Sequence, residues 1–296
     1  MKYILSPYMR NEFLIKKGYG YFENVEAFAY YFLGSYDERF INCDKTLIIY
    51  SIQEDEIPPP KDGELNVLWC FENCNHYTHY KHHTKYGDYG DENIQIYIYN
   101  HIDDIVKTDD YIAFPLLWIR IKFFEKHYND YKPSIIKNKE QQKFNILMTP
   151  NFHNKEIKSN IYNLCSTIDK TYSIYNFKKQ INNLTIYLNT NFINFINIFR
   201  FAIVCENSDS HGYITEKIFN CFHARVIPIY YGNNPEKYFH EGSFIDARKL
   251  SFKEIKEKII ELKNNDELYD KMINHPKLKN PNVDYFSELV DFINNK

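Results

Sequence analysis

The sequence predicts an α/β protein with two parallel β-sheets, each covered by helices on both faces. Apolar runs of strand length alternate along the chain with segments that repeat apolar residues at helical spacing. The strand-length runs are largely apolar, which is typical of strands buried on both faces of a parallel sheet. A chain of 296 residues is long for one ordinary domain and sufficient for two of about 140 to 150 residues.

The elements of the first half follow in chain order. A helical pattern over 27–34 comes first, and the run over 132–142, which is charged and poor in apolar residues, ends this half. The predicted strands are 45–50, 66–71 and 94–99, followed by a strand or turn around Pro115 and then a helix up to residue 126. We therefore predict a first domain over residues 1–140.

The second half repeats the alternation of strands and helices. In the segment 156–168, for example, apolar residues recur at helical spacing and share one face. The predicted strands are 144–148, 200–205 and 225–231, and the predicted helices are 156–168, 190–198, 215–224, 252–263 and 283–294. These elements predict a second domain over residues 141–296.

The composition excludes several classes of protein. Hydrophobic residues make up 44% of the chain, which is enough to build a core, and a net charge of −3 without a dense basic stretch argues against a nucleic-acid-binding protein. No apolar run approaches the roughly 18 residues that span a bilayer, and the first residues lack the apolar core of a signal peptide. We therefore expect a cytoplasmic protein without a transmembrane segment.

The segment from Phe201 to Ile218 carries the most informative polar residues. It passes from a predicted strand through a polar loop into a predicted helix. Ligands of parallel sheets bind beyond the carboxyl ends of the strands, and the run Glu206-Asn207-Ser208 lies at such an end. Its position predicts a binding site at this edge of the sheet.

The start of the helix that follows suits an anion. Thr215 is the predicted N-cap, which places Glu216 and Lys217 in the first helical turn. A cation there opposes the helix dipole, and an anionic ligand such as a diphosphate between the two would remove the conflict. On spacing alone, a solvated helix start with a chance lysine fits equally well.

This stretch resembles the hallmark motif of the fucosyltransferases of glycosyltransferase family 10, which reads approximately Phe-Glu-Asn-Ser-(x)n-Tyr-(Ile/Val)-Thr-Glu-Lys. Cys205 stands where the family usually has Phe, which changes packing rather than chemistry. Downstream, the runs 227–232 and 243–245 also fit the family pattern, in order and at suitable spacing. The resemblance is specific and extends over residues 201–245.

The resemblance implies the GT-B fold, in which two Rossmann-like domains face each other across a cleft. It implies an enzyme that transfers L-fucose from GDP-fucose to a hydroxyl group, O3 or O4, of an oligosaccharide or glycan acceptor. The C-terminal half would bind GDP-fucose and the N-terminal half would carry the acceptor side. The reaction would invert the anomeric carbon and would use no metal ion and no cofactor.

The resemblance also assigns donor-binding residues. Asn207, Tyr213, Glu216 and Lys217 match the family's donor contacts, with Lys217 neutralising the diphosphate and Glu216 accepting hydrogen bonds from sugar hydroxyls. The family has a second cation, usually Arg, in the first helix of this half. The aligned residue is Lys158, which supplies the charge without the bidentate fork of Arg.

A general base is expected in the N-terminal half, and Glu72 is the candidate. By resemblance, the family's catalytic carboxylate follows a buried strand and often precedes Asn, as Glu72 follows 67–71 and precedes Asn73. A carboxylate at the end of a strand can take a proton from an acceptor hydroxyl. Without the family, a surface glutamate in a loop would be the more ordinary interpretation.

The sequence offers no convincing metal site. The six cysteines are scattered without a Cys-x-x-Cys pair, which favours buried free thiols. No Asp-x-Asp follows an apolar strand, and Asp103-Asp104 and Asp109-Asp110 are interpreted as solvated loops. The histidines of the polar, Tyr-rich stretch 76–83 favour an acceptor-binding or exposed loop over a metal site.

Two other functions remain open at this point. The lysine at position 158 would also fit a GDP-sugar-binding protein with weak or no catalysis. A transferase that uses another GDP-linked sugar would have the same phosphate-binding residues.

Overall fold

The computed structural model describes residues 2–5, 43–51, 56–70, 92–99, 102–127, 143–147, 155–173, 190–280, 284 and 286–296. The chain forms two compact units. The N-terminal unit comprises residues 1–126, 210–213 and 282–296, and the C-terminal unit comprises 127–209 and 214–281. The predicted boundary near residue 140 lies outside the described residues, so the division into 1–140 and 141–296 stays a prediction. Residues 282–296, which that division assigned to the second domain, belong to the N-terminal unit.

The described residues contain eleven strands and seven α-helices. The strands are β1 Lys2–Leu5, β2 Thr46–Ser51, β3 Glu64–Cys70, β4 Ile96–Tyr99, β5 Val106–Lys107, β6 Ile112–Pro115, β7 Lys143–Leu147, β8 Thr171–Ser173, β9 Phe199–Cys205, β10 Ile227–Tyr231 and β11 Ile245–Asp246. The helices are α1 Leu116–His127, α2 Lys155–Ser166, α3 Thr190–Ile196, α4 Glu216–His223, α5 Phe252–Asn264, α6 Asp266–Asn274 and α7 Ser287–Asn294. The helix predicted over 27–34 lies outside the described residues. No described helix has the length and apolar character needed to cross a membrane.

The N-terminal unit contains a six-stranded sheet of order β1-β2-β3-β4-β6-β5. All its strand pairs are parallel except the pair of β5 and β6. The apolar runs that predicted β3 and β4 are buried on both faces, as parallel strands require. Asn66 is the buried polar exception, and its side-chain amide donates to the carbonyls of Pro58 and Asn93 at 2.7 and 2.8 Å. The start of α7 packs on this unit, since the rings of Phe114 and Phe286 lie 5.3 Å apart.

The C-terminal unit contains a five-stranded parallel sheet of order β11-β10-β9-β7-β8. The chain order of the strands reverses between the neighbours β7 and β9. Such a reversal is the point at which ligands enter open α/β sheets, outside the carboxyl ends of the strands. The topology therefore directs attention to the residues that follow β7 and β9.

Helices α2 and α5 bury their apolar faces against this sheet. The core joins Ile161 and Cys165 of α2, Ile255 and Ile259 of α5, and the inward side chains of β9 and β10. Five cysteines among the described residues are free and buried, as predicted: Cys43, Cys70, Cys165, Cys205 and Cys221. Helix α5 begins with a capping box, in which Ser251 accepts from the backbone of Glu254 and the Glu254 side chain accepts from the backbone of Ser251.

Lys277 caps the C-terminal end of α6 from a buried position. Its Nζ donates to the carbonyls of Met272 and Ile273 at 3.2 and 2.8 Å. Burial, with a smaller contribution from the charge of Arg225, lowers the pKa of Lys277 to about 7. The unfolded chain therefore binds more protons than the folded one between pH 7 and the ordinary lysine pKa of about 10.4.

This difference predicts a pH-dependent contribution to stability. As pH rises above about 7, the folded state no longer has to bury a charged Lys277, so its contribution to the unfolding free energy increases. The slope is at most about 1.4 kcal/mol per pH unit and is absent from Lys277→Met. Urea titrations of both proteins between pH 7 and 9 test this. Parallel pH profiles for the two proteins would contradict the assignment.

Candidate active site

The candidate site lies at the carboxyl end of β9, beside the reversal in strand order. Glu206 directly follows β9, and helix α4 begins at Glu216. The backbone N–H of Glu206 donates to the carbonyl of Tyr231 at 2.8 Å, which continues the pairing of β9 with β10 by one residue. The residue after the strand is thereby fixed in the sheet.

The carboxylate of Glu206 accepts hydrogen bonds from Thr215, Lys217 and Tyr230. Oε1 accepts from the backbone N–H of Thr215 at 2.8 Å and from the hydroxyl of Tyr230 at 3.1 Å. Oε2 accepts from Oγ1 of Thr215 at 2.7 Å and from Nζ of Lys217 at 2.9 Å. The Glu206 side chain is completely buried. A buried charge is tolerated when it is paired and hydrogen-bonded in this way.

The electrostatics keep Glu206 ionised. Burial alone would raise the pKa of its carboxyl, but the charge of Lys217 and the hydrogen bonds from Thr215 and Lys217 outweigh burial and lower this pKa. Burial and the Glu206 charge both raise the pKa of the Tyr230 hydroxyl well above its ordinary value. Tyr230 therefore stays protonated and donates to the carboxylate.

Thr215 occupies the predicted N-cap position of α4, but its side chain has a different partner. Its backbone is extended, with φ −101° and ψ −175°, and its side chain makes no capping hydrogen bond. The hydroxyl donates to Glu206 instead. The hydroxyl is oriented toward Glu206 and accepts no hydrogen bond from the N–H groups of the first turn. The first turn of α4 is consequently not covered by its own N-cap side chain.

The two predicted cations lie around this carboxylate. Lys217 is 14% exposed and is paired with Glu206. Lys158, in the first turns of α2, is completely buried. Burial lowers the pKa of Lys158 and the charge of Lys217 lowers it further, whereas the charge of Glu206 opposes the shift. In the structure, Lys158 is therefore buried and close enough to Lys217 for their charges to interact.

The Glu206 cluster consists of Glu206 with Lys158, Thr215, Lys217 and Tyr230. The other predicted donor contacts lie next to its members in the sequence. Asn207 and Glu216 are half-buried, and Glu216 begins α4 immediately before Lys217. Tyr213 is buried and belongs to the segment 210–213 of the N-terminal unit, where its N–H donates to the carbonyl of Ser210 at 3.1 Å. Their roles as donor contacts stay predictions.

Within the N-terminal unit, the segment 210–213 is attached to residues 102–103. Nδ1 of His211 lies 2.7 Å from Oδ2 of Asp103. Gly212 has φ 63°, and a Cβ there would lie 2.3 Å from the carbonyl oxygen of Ile102. Only glycine fits this close backbone approach. The interpretation of Asp103 as solvated was wrong, because Asp103 is buried and bonded to His211, whereas Asp104, Asp109 and Asp110 are exposed.

Two predicted features fall outside the described part of the chain. Glu72 follows β3 by two residues and is not described, and the histidines of the stretch 76–83 are not described either. Among the residues that are described, no group of three or more His, Cys, Asp or Glu side chains could hold a metal ion. The role of Glu72 and the metal-independent reaction therefore stay predictions.

The family model of the C-terminal domain of glycosyltransferase family 10 (fucosyltransferase) matches residues 137–282. The chain belongs to glycosyltransferase family 10. The match includes β9, α4 and β10, and with them Glu206, Lys217 and Tyr230. As a member of this fucosyltransferase family, the protein is a glycosyltransferase. Among curated protein sequences, no significant match was found.

Three solved structures support the fold. A crystal structure of an α1,3-fucosyltransferase has a TM-score of 0.54 and 16% identity, with 84% of this chain and 76% of that chain covered. The structure with GDP-fucose has a TM-score of 0.51, 17% identity and coverages of 85% and 77%. The structure with GDP has a TM-score of 0.50, 17% identity and coverages of 84% and 78%. At these identities the likeness shows the fold, and the predicted α/β architecture of the GT-B class is confirmed.

Glu206 and Tyr230 are residues of this glycosyltransferase to which sequence reasoning assigned no role. The position of Glu206 at the edge of the sheet is visible in the sequence, but its partners are not. A buried strand followed by a Glu that the family motif retains is the one available signal. Tyr230 lies 24 residues further on, and only the pairing of β9 with β10 brings it to Glu206.

An open groove of about 520 Å³ in the C-terminal unit is separate from this cluster. It lies between α5, α6 and the short 3₁₀ turn Glu241–Ser243, and its lining includes Phe244, Leu250 and Met272. None of the residues around the groove belongs to the Glu206 cluster. The chemistry of the family motif, rather than the size of the groove, therefore identifies the candidate site.

Gly232 leaves room for the Glu206 cluster. A Cβ at Gly232 would lie 2.4 Å from the Tyr230 hydroxyl oxygen and 2.8 Å from Cγ of Glu206. We expect Gly232→Ala to cost about 1–3 kcal/mol of unfolding free energy through overpacking. It should also weaken GDP binding, because both neighbours must move. Urea denaturation and calorimetry with GDP measure the two effects.

Gly63→Ala is the matched control for this substitution. Gly63 lies in the N-terminal unit with φ 77°, and a Cβ added there would have no atom within 4 Å, so alanine strains only the backbone. We expect a loss of stability with unchanged GDP affinity. Equal affinities of the Gly232→Ala variant and the original protein for GDP would argue against a cluster that depends on Gly232.

Proposed function

We propose that this member of family 10 transfers L-fucose from GDP-fucose to a hydroxyl group, O3 or O4, of an oligosaccharide or glycan acceptor. The observation that carries the proposal is the Glu206–Lys217 pair at the junction of β9 and α4, within the family's characteristic domain. The α1,3-fucosyltransferases that share the fold were crystallised with GDP-fucose and with GDP. The donor of this chain is therefore proposed to be GDP-fucose.

Lys217 is the proposed contact for the diphosphate. Its ammonium group lies in the first turn of α4, where the helix dipole also favours an anion by about 0.3–1 kcal/mol. Ligands of parallel sheets bind at this edge. Lys217 and the N-terminal N–H groups of α4 would then neutralise the diphosphate, as a divalent cation does in metal-using transferases. We therefore propose a reaction without a metal ion or other cofactor.

The remaining donor contacts are proposed from the family motif and their placement. Glu216 begins α4 and is half-buried, which suits a carboxylate that accepts hydrogen bonds from ribose or fucose hydroxyls. Asn207 follows Glu206 at the end of β9, and Tyr213 precedes the Thr215 N-cap. Lys158 would add positive charge near Lys217, with which it interacts electrostatically. Its complete burial supports an electrostatic role better than direct contact with phosphate oxygens.

The proposed mechanism is a single displacement with inversion. Glu72 removes the proton of the acceptor hydroxyl, whose oxygen attacks the anomeric carbon of fucose as the bond to GDP breaks. The electron pair of that bond goes to the leaving β-phosphate oxygen of GDP. Lys217 and the N-terminal N–H groups of α4 stabilise the charge that develops there. The products are the fucosylated acceptor and GDP.

An oligosaccharide array with GDP-fucose tests this function. Products are identified by a mass increase of one deoxyhexose, and NMR of the product gives the linkage and the anomeric configuration. A β-fucosyl donor that yields an α-fucosyl product shows inversion. A retained configuration would overturn the mechanism, and turnover with GDP-mannose instead of GDP-fucose would reassign the donor.

A GDP-sugar-binding protein without catalysis is the second candidate. The observation that favours it is Lys158, which replaces the family's usual Arg and is buried. Calorimetry with GDP separates the candidates when combined with the array. Binding of GDP without any transfer on a broad acceptor set would support this second function, and transfer above the rate of donor hydrolysis excludes it.

A further inference from the structure

The buried carboxylate of Glu206 connects three elements of the C-terminal unit. It follows β9, it accepts two hydrogen bonds from Thr215 at the start of α4, and it accepts one from Tyr230 of β10. It also accepts a hydrogen bond from the ammonium group of Lys217 at 2.9 Å. The proposed diphosphate contact is thus anchored to the sheet through one side chain.

We infer that Glu206 is a positioning residue that fixes Lys217 and the first turn of α4 in the orientation that the diphosphate of the donor requires. This inference rests on the proposed function. Glu206 itself does not contact the donor, since its side chain has no exposed surface. Its effect on binding therefore passes through Lys217 and Thr215.

The physical reason is preorganisation. A lysine side chain has many rotamers, and a ligand that must order it gives up part of its binding free energy. The bond to Glu206 orders Lys217 before the donor arrives. An ammonium group has three N–H donors, and the bond to Glu206 uses one of them.

The surroundings of Glu206 support this role over a purely packing one. Both oxygens are used, and the two bonds from Thr215 fix the backbone at the N-cap of α4 as well as its hydroxyl. A Cβ at Gly232 would come within 2.8 Å of Glu206 Cγ, so the carboxylate has little freedom to move. An acceptor that cannot move can hold a flexible lysine side chain in one orientation.

A double-mutant cycle of Glu206→Gln and Lys217→Gln tests the inference, with GDP affinity measured by calorimetry on protein shown to be folded by circular dichroism. Glu206→Gln keeps the shape of the side chain, removes its negative charge and replaces one carboxylate oxygen with an NH2 group, which cannot accept from Lys217. We expect Glu206→Gln to weaken GDP binding about 10- to 100-fold, the range for a lost hydrogen bond to a charged group. In the Lys217→Gln background it should cause little further loss.

Asp169→Asn is the matched control. Asp169 pairs with Lys263 at 2.6 Å in the same unit, so this substitution also converts a lysine-paired carboxylate into an amide. We expect its GDP affinity to equal that of the original protein. Additive losses in the cycle would overturn the inference, because Glu206 would then act independently of Lys217. If Glu206→Gln does not fold, Glu206→Asp provides the comparison, since it keeps the charge and withdraws it by one methylene.

A second readout needs no GDP. Lys217 is acylated with a water-soluble reagent, and its labelling rate is followed by peptide mass spectrometry. We expect Lys217 to react several-fold faster in Glu206→Gln and at the original rate in Asp169→Asn. Unchanged labelling of Lys217 in Glu206→Gln would show that Glu206 does not hold it. If the original protein fails to bind GDP, the proposed function falls, and the labelling rates still decide whether Glu206 positions Lys217.

Discussion

Lys217→Gln is expected to weaken binding of GDP by about 100-fold, because the variant loses the positive charge opposite the diphosphate. The amide of Gln keeps an N–H donor for Glu206, but the buried carboxylate loses its cation. We therefore also expect a loss of stability, up to about 3–5 kcal/mol. Calorimetry with GDP measures the affinity, and urea denaturation measures the stability.

Lys253→Gln is the matched control for the charge. Lys253 is 85% exposed on α5 of the same unit and makes a long contact of 3.9 Å with Glu257. Its replacement changes the net charge equally but should leave GDP affinity within about twofold, since exposed ion pairs contribute little. The affinity of the original protein should also fall as salt is added, and Lys217→Gln should be less sensitive to salt. An affinity of Lys217→Gln for GDP equal to that of Lys253→Gln would remove Lys217 from the site.

The fold class could be predicted because buried strands are visible in the sequence as apolar runs of strand length. β2, β3 and β9 were found within one or two residues of their predicted bounds. The strands that were missed are short: β5 and β11 have two residues each, β8 has three and β1 has four. So short a strand carries no periodicity of its own and exists because a neighbouring strand pairs with it.

The candidate site was predictable where its chemistry is local. Lys217 and Glu216 follow an N-cap position, so their place in the first turn of α4 can be read from the chain. The interactions that hold the site are not local. Glu206 meets Tyr230 across two strands, and the bond between His211 and Asp103 joins residues 108 positions apart. The sequence shows neither the direction in which a strand-end carboxylate points nor its partner.

Tertiary structure also decides two features that the local patterns do not show. Thr215 has the residue type and position of an N-cap, yet its hydroxyl donates to a buried carboxylate. Residues 286–296 follow the second sheet in the chain, yet they belong to the N-terminal unit, where Phe286 contacts Phe114. In both cases the contact is buried and cannot be read from the local sequence pattern.

Glu72→Gln is expected to lower kcat for fucosyl transfer by about 10²- to 10⁴-fold, the contribution of a general base. The amide is nearly isosteric with the carboxylate but cannot take the proton of the acceptor hydroxyl. GDP affinity should stay within about twofold of the original value, because the proposed phosphate contact is Lys217. Product mass spectrometry measures kcat, and calorimetry measures the affinity.

Glu56→Gln provides the comparison, since Glu56 is an exposed carboxylate of the N-terminal unit. It should transfer fucose at the original rate. A fall in kcat without a fall in GDP affinity distinguishes a general base from a donor contact. The loss of a base slows the chemical step while the donor still binds. Retained turnover in Glu72→Gln would mean that another group takes the proton. A parallel loss of GDP binding would instead assign Glu72 to the structure of the donor site.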